Sequence, residues 1–165
     1  MTTNVYISLG SNSGDRHVMI GKAVAALSSA FDRYDAVVRV AEPVTSLPQG
    51  FVSDNPFVNV GLLVSFELTQ PWDDGSLHGL LDTTQAIERS LSSMPHRNPD
   101  GSYRDREIDI DIIAVDELSF SSSRLTLPHP AMSERRFVLV PMSQLLPDWR
   151  HPQSGLTPGE MMERL

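Results

Sequence analysis

The chain has 165 residues, 40% of them hydrophobic and 21% charged, which suits one globular domain with its own core and excludes a disordered chain. Thirteen Lys and Arg against 21 Asp and Glu leave a net charge of −8, and a general nucleic-acid binder needs a basic surface instead. The absence of cysteine excludes disulfides and thiolate metal sites, and no apolar run reaches the roughly 20 residues of a membrane span. The opening "MTTNVYISLGSN" has neither a basic region nor a long apolar stretch, so it is no signal peptide, and a cytoplasmic protein is expected.

In chain order, "NVYISL" (4–9) has the apolar content of a buried strand. "GSNSGD" (10–15) is loop, with Ser13 or Asp15 available as the cap of a helix that follows. Ile20, Val24, Leu27 and Phe31 recur at helical spacing from Arg16 onward. "AVVRVA" (36–41) reads as a strand, and 42–56 as a long loop full of turn residues. "FVNVGLLVSFEL" (57–68) is a strand, and 77–91 a helix with Leu77, Leu80, Leu81, Ile87 and Leu91 as its apolar stripe. After irregular residues 92–105, a strand over 107–115 completes the order β-α-β-β-α-β, the ferredoxin-like arrangement. The remainder reads as a short hairpin through "DELSFSSSRLTL", a "PHP" turn, and a helix from about Ser133 that Pro141 bends or ends. The fold class is α+β, a mostly antiparallel sheet with helices mainly on one face, plus a C-terminal hairpin and helix extension.

"REIDIDII" (106–113) places Asp109 and Asp111 on one face of that last strand and Ile108, Ile110 and Ile112 on the other. The apolar continuation "IIAV" points to an interior strand. Glu107 would share the carboxylate face, and cations relieve such a cluster of acids. Magnesium suits one or two carboxylates plus phosphates and water. Downstream, "RLTLPHPAMSERRFVLVP" (124–141) gathers Arg124, His129, Arg135 and Arg136, donors compatible with phosphate. "GSNSGD" lacks the Gly-Lys-Ser/Thr end of a Walker A loop.

The stretches "YISLGSN" (6–12), "NPFVNVGLLV" (55–64), "TQAIE" (84–88), "REIDIDII" and "RLTLPHPAMSERRFVLVP" run in the same order as in one family. Over about residues 4–150 the chain resembles the 6-hydroxymethyl-7,8-dihydropterin pyrophosphokinases of folate biosynthesis. The resemblance implies transfer of pyrophosphate from ATP to the pterin's hydroxymethyl group, with release of AMP. It implies Asp109 and Asp111 as ligands of two Mg2+ ions, and Gln85, Glu88, Arg106, Arg124, Thr126, His129 and Arg135 as residues that hold ATP. Phe57 and Phe137 match the stacking positions for the pterin and Asn59 an amide that reads its edge, while Gly10 and Val44 lie where backbone approaches the ring.

Several positions depart from the family's pattern. The segment before the aspartate strand, "SSMPHRNPDGSYRDR", lacks the usual "GRxR" and tryptophan, with His96 and Arg97 as its first basic residues and Tyr103 near the tryptophan's place. This segment, with His96, Arg97, Tyr103 and Arg104, is expected to act as a mobile lid over the nucleotide. Ala41 stands for a threonine and Pro130 for an aromatic residue. The expected partners are small molecules, a reduced pterin and ATP, with no nucleic acid, no membrane and no fused folate enzyme. The chain is expected to be a monomer or weak dimer. Two other readings compete: a catalytically weak pterin or nucleotide binder of the same fold, motivated by the altered segment, and a ferredoxin-like RNA-binding module, opposed by the charge.

Overall fold

The first strand, β1 (Thr2–Ser11), is buried along almost its whole length because it lies inside a sheet covered on both faces. The computed structural model describes residues 1–12, 14–47, 56–92, 99 and 107–165. Helix α1 (Arg16–Phe31) follows, capped by Asp15, whose carboxylate accepts from Val18 N at 3.1 Å. Ser13, the other candidate cap, lies outside the described residues. Ile20, Ala23, Leu27 and Phe31 form the buried stripe of α1, and Val24 packs at its margin.

Strands β2 (Val37–Val40) and β3 (Val44–Ser46) both pair antiparallel with the long β4 (Phe57–Glu67), so together they form one interrupted edge. The expected loop over 42–56 therefore begins with a strand; 48–55 lie outside the described residues. Helix α2 (Asp74–Leu91) opens with a reciprocal cap between Asp73 and Ser76, and β5 (Asp109–Val115) comes next. The order across the sheet is β2-β4-β1-β5, with every pairing antiparallel. With α1 and α2 against one face, this is the ferredoxin-like α+β fold.

A hairpin of β6 (Phe120–Ser121) and β7 (Thr126–Leu127) follows as expected. A 3-10 turn (Met132–Glu134) then leads into α3 (Arg136–Leu145), and a short α4 (Pro158–Met162) was not legible in the sequence. Two corrections concern layers. Helices α3 and α4 cover the second face of the sheet, over Tyr6, Leu63, Ile113 and Ala114, so the helices are not confined mainly to one side. And β5 is an edge strand, not an interior one. Its apolar content on both faces comes from having helices on both sides. Its outer edge is covered by other groups: Glu88 accepts from Ile110 N at 2.9 Å, and His129 N donates to Ile113 O at 2.8 Å.

Pro141 does not end α3, which continues to Leu145. Its ring fills the space above Gly61 in the middle of β4, where a Cβ would lie 2.1 Å from Tyr6 Oη and 2.8 Å from Pro141 Cβ. Glycine is required here by close approach, not by backbone angle. No helix among the described residues is long and apolar enough to cross a membrane.

Candidate active site

Alternation along β5 sends Ile110 and Ile112 into the core shared with α1 and α2, and Asp109 and Asp111 to the opposite face. Ile112 pairs with Ile7 and Ala114 with Tyr6, so the strand carries one extra residue at Ile113. That bulge turns both Ile113 and Ala114 toward the α3 side. Helix α3 packs on this later part of the strand, and the two aspartates lie beyond it, half-buried at the rim of a cavity of about 390 Å³. Glu107, expected on the same face, precedes the strand.

Three elements line the cavity: α2 with Gln85 and Glu88, β5 with Asp109 and Asp111, and the hairpin region with Arg124, Thr126 and His129. Their i, i+3 spacing puts Gln85 and Glu88 on one side of α2. Arg135, at the start of α3, brings Nη1 to 4.0 Å from Asp111 Oδ2, and its guanidinium carbon lies 5.8 Å from the Phe137 ring centre. His129 is fixed by its neighbours: Nδ1 accepts from Ala131 N at 3.1 Å. Burial lowers its basicity, the Arg135 charge lowers it further, and Asp109 opposes both. A neutral ring with Nδ1 as acceptor carries its proton on Nε2, so His129 offers one N–H donor there.

The donor set fits magnesium. Among the described residues no group of three or more His, Asp or Glu is arranged to hold a metal. What the chain offers is a pair of carboxylates two residues apart on one strand face, so phosphates and water would complete the coordination. Among the described residues Arg135 Nε is buried without a hydrogen-bond partner, a cationic donor that an anion at this face would satisfy.

The sheet register extends the site sideways. Asp109 pairs with Gly10, Gly10 with Asn59, and Asn59 with Val44, so one row crosses β5, β1, β4 and β3. Asn59 is buried and donates through Nδ2 to Val44 O at 3.0 Å and to Ser46 Oγ at 2.7 Å. Both its donors are thereby occupied, and Oδ1 faces Gly10, where a Cβ would lie 3.1 Å from it and 3.3 Å from Phe57 Cδ1. Gly10 leaves a bare floor beside an acceptor and an aromatic ring. Phe137 is half-buried against the α3-side core.

The structure thus brings together Gln85, Glu88, Asp109, Asp111, Arg124, Thr126 and His129 around one cavity, with Arg135 beside Asp111. Gly10, Val44, Phe57 and Asn59 cluster along the adjoining row. Arg106 and the expected lid residues His96, Arg97, Tyr103 and Arg104 lie outside the described residues. Two contributors were missed. Ser46 orients Asn59, and its only signal is a position two residues after Val44 on the same strand face. Asp82 binds Arg124, and its signal is a position three residues before Gln85 on the same helix.

Comparison with known proteins bears on the whole chain. The family model described as "7,8-dihydro-6-hydroxymethylpterin-pyrophosphokinase (HPPK)" matches residues 6–147. A Porphyromonas gingivalis protein named 2-amino-4-hydroxy-6-hydroxymethyldihydropteridine pyrophosphokinase is 40% identical over 151 residues, covering 91% of this chain and 95% of that protein. Proteins of the same name from Methylorubrum extorquens and Bacillus subtilis are 36% and 31% identical, each covering 88% of this chain and 84% and 79% of theirs. Among solved structures, Plasmodium falciparum HPPK-DHPS with pteroate superposes with a TM-score of 0.63 at 11% identity, a likeness of fold, over 99% of this chain and 42% of that one. With the match running from Tyr6 in the central strand to Pro147 beyond α3, the chain belongs to the 7,8-dihydro-6-hydroxymethylpterin-pyrophosphokinase family.

Proposed function

We propose that the chain carries out its family's reaction, moving a pyrophosphoryl group from ATP to the hydroxymethyl group of 6-hydroxymethyl-7,8-dihydropterin in folate synthesis, and that it does so at the cavity on β5. The observation that carries this reading is the single cross-sheet row from Asp109 through Gly10 and Asn59 to Val44, which joins a carboxylate-and-arginine cavity to a flat, aromatic-walled floor. Asp109 and Asn59 are two strands apart, about 10 Å at the usual strand spacing. A flat ring on the Gly10 floor then reaches toward the aspartates with its substituent.

Asp109 and Asp111 hold magnesium, which when bound supplies charge neutralisation and orientation for the phosphates. Arg124 donates to phosphate oxygens as a binding contact, while Arg135 and the Nε2–H of His129 donate to them and stabilise the charge that builds during transfer. Gln85 and Thr126 contact the nucleotide. Glu88 fixes α2 against the β5 edge through Ile110 N and so sets the width of the cavity. Asn59, with its amide donors occupied, offers Oδ1 to an N–H of the pterin, and Phe57 and Phe137 flank the ring. The hydroxymethyl oxygen attacks the β-phosphorus of ATP, the bond between the β-phosphorus and the oxygen that bridges it to the α-phosphorus breaks, and AMP leaves with that oxygen. The hydroxyl proton passes to solvent water, so that one alcohol and one ATP give one pyrophosphate ester, one AMP and one proton. A cytoplasmic location suits an enzyme that draws on ATP.

The test is to mix protein, ATP, magnesium and 6-hydroxymethyl-7,8-dihydropterin and to separate the nucleotide products. AMP should appear in step with the pterin pyrophosphate. ADP as the main product would overturn the reading, and tight binding of both substrates without AMP would identify a weak or inactive relative.

A further inference from the structure

Arg124 reaches the cavity from the turn between β6 and β7, and side chains on one face of α2 hold that turn. His78 Nε2 lies 2.8 Å from Ser122 Oγ, which itself accepts from Arg124 N at 3.2 Å and Leu125 N at 3.1 Å. One helical turn further on, Asp82 Oδ1 accepts from Arg124 Nη2 at 2.5 Å. Gln85 Oε1 accepts from the same nitrogen at 3.4 Å. Gln85 lines the cavity, whereas Asp82 does not and is 62% exposed, and its bond to Arg124 ties it to the cavity.

We propose that Asp82 is a positioning residue for Arg124, with His78 holding the turn that carries it. The inference rests on the reading of Arg124 as a ligand of the ATP phosphates. A guanidinium has five N–H donors in a rigid fork. Asp82 and Gln85 engage Nη2 and leave Nε and Nη1 to meet a phosphate. An arginine side chain carries much rotamer entropy, and anchoring one end before the nucleotide arrives reduces what binding must give up. The clamp therefore favours ATP affinity and has no part in the chemical step or in pterin binding.

Steady-state kinetics with ATP varied at saturating pterin and magnesium test this. Asp82→Ala should raise the KM for ATP by about two- to fivefold, the range open to an exposed ion pair, while kcat and the pterin KM stay unchanged. Asp82→Glu should recover part of the loss. In an Arg124→Ala background, Asp82→Ala should add nothing further, because the two act as a unit. An equal Asp82→Ala effect with and without Arg124 would overturn the proposal. So would an unchanged KM in Asp82→Ala when Arg124→Ala raises it, and that result would leave the ATP reading of Arg124 standing. If Arg124→Ala itself leaves the KM for ATP unchanged, both the clamp and the ATP reading of Arg124 fall together.

Discussion

Asp109 and Asp111 occupy a face that the rest of β5 gives over to Ile113 and Ala114, and each is half-buried rather than fully solvated. Two like charges held there gain their use from a counter-charge, and Arg135 Nη1 lies 4.0 Å from Asp111 Oδ2. Asp109→Asn and Asp111→Asn should each lower turnover by about 100-fold or more, the scale on which removal of one transition-state charge contact acts. The melting temperature should stay close to the parent value, and calorimetry beside an AMP assay checks both. Near-normal activity in both variants would refute the metal assignment. Asn59 makes a different prediction, because Val44 O can only accept and a carboxylate placed against it has nothing to donate. Asn59→Asp should therefore destabilise the fold by about 1–3 kcal/mol, the cost of a buried acceptor left unpaired, as well as weaken pterin binding. A denaturant titration reads the first effect. An unchanged midpoint would mean that the Asn59 amide is not fixed by β3.

Helix α3 lies across β4 at a point where only glycine allows the approach. Tyr6 is fully buried beneath it, with Oη 3.4 Å from Val138 O, and burial pushes its phenol well above the ordinary range. Gly61→Ala would drive a methyl into Tyr6 Oη and Pro141, and overpacking of this kind costs about 1–3 kcal/mol. Adding Tyr6→Phe should restore part of that stability by removing the nearest atom, while the Pro141 contact remains. No recovery in the double variant would show that α3, not Tyr6, sets the spacing. At the start of α2, hydrogen bonds from the Ser76 backbone and hydroxyl hold the Asp73 carboxyl below its ordinary value. A lowered folded pKa means that the cap's stabilisation is complete above the unfolded value and is lost as pH falls through the folded one. Asp73→Ala should lower the melting temperature at neutral pH, and its gap from the parent should narrow in acid; a gap independent of pH would locate the effect elsewhere.

At the scale of the molecule, two apolar cores formed by the described residues sandwich the sheet, one beneath α1 and α2 and the other beneath α3 and α4, and both are built of the chain's own side chains. The fold should accordingly tolerate chelation, with melting curves that superpose with and without EDTA. A non-hydrolysable ATP analogue should raise the melting temperature only when magnesium is present, and at about 100 times its dissociation constant the gain amounts to about 2.7 kcal/mol. A shift of the same size in EDTA would show that Arg124, Arg135 and His129 bind the nucleotide without help from the aspartates.

The order and type of the main elements were legible in the sequence by itself, because the apolar content of "NVYISL", the one-face pattern of "FVNVGLLVSFEL" and the helical spacing of Ile20, Leu27 and Phe31 are local consequences of which side chains leave water. The aspartate pair, the arginines and the family's motifs were legible for the same reason: a residue's chemistry and its spacing along one strand or helix are properties of the chain. Tertiary structure decided what depends on neighbours far away in sequence. Only the sheet register could set Asp109, Gly10, Asn59 and Val44 side by side, since hydrogen bonding between strands joins residues as far apart in sequence as Gly10 and Asp109. Only packing could place β5 at the edge, because a strand covered by helices on both faces has an interior composition wherever it stands in the sheet. The passage of α3 through Pro141 was likewise a packing outcome, as the ring that costs the helix a hydrogen bond fills the space left by Gly61 on another element.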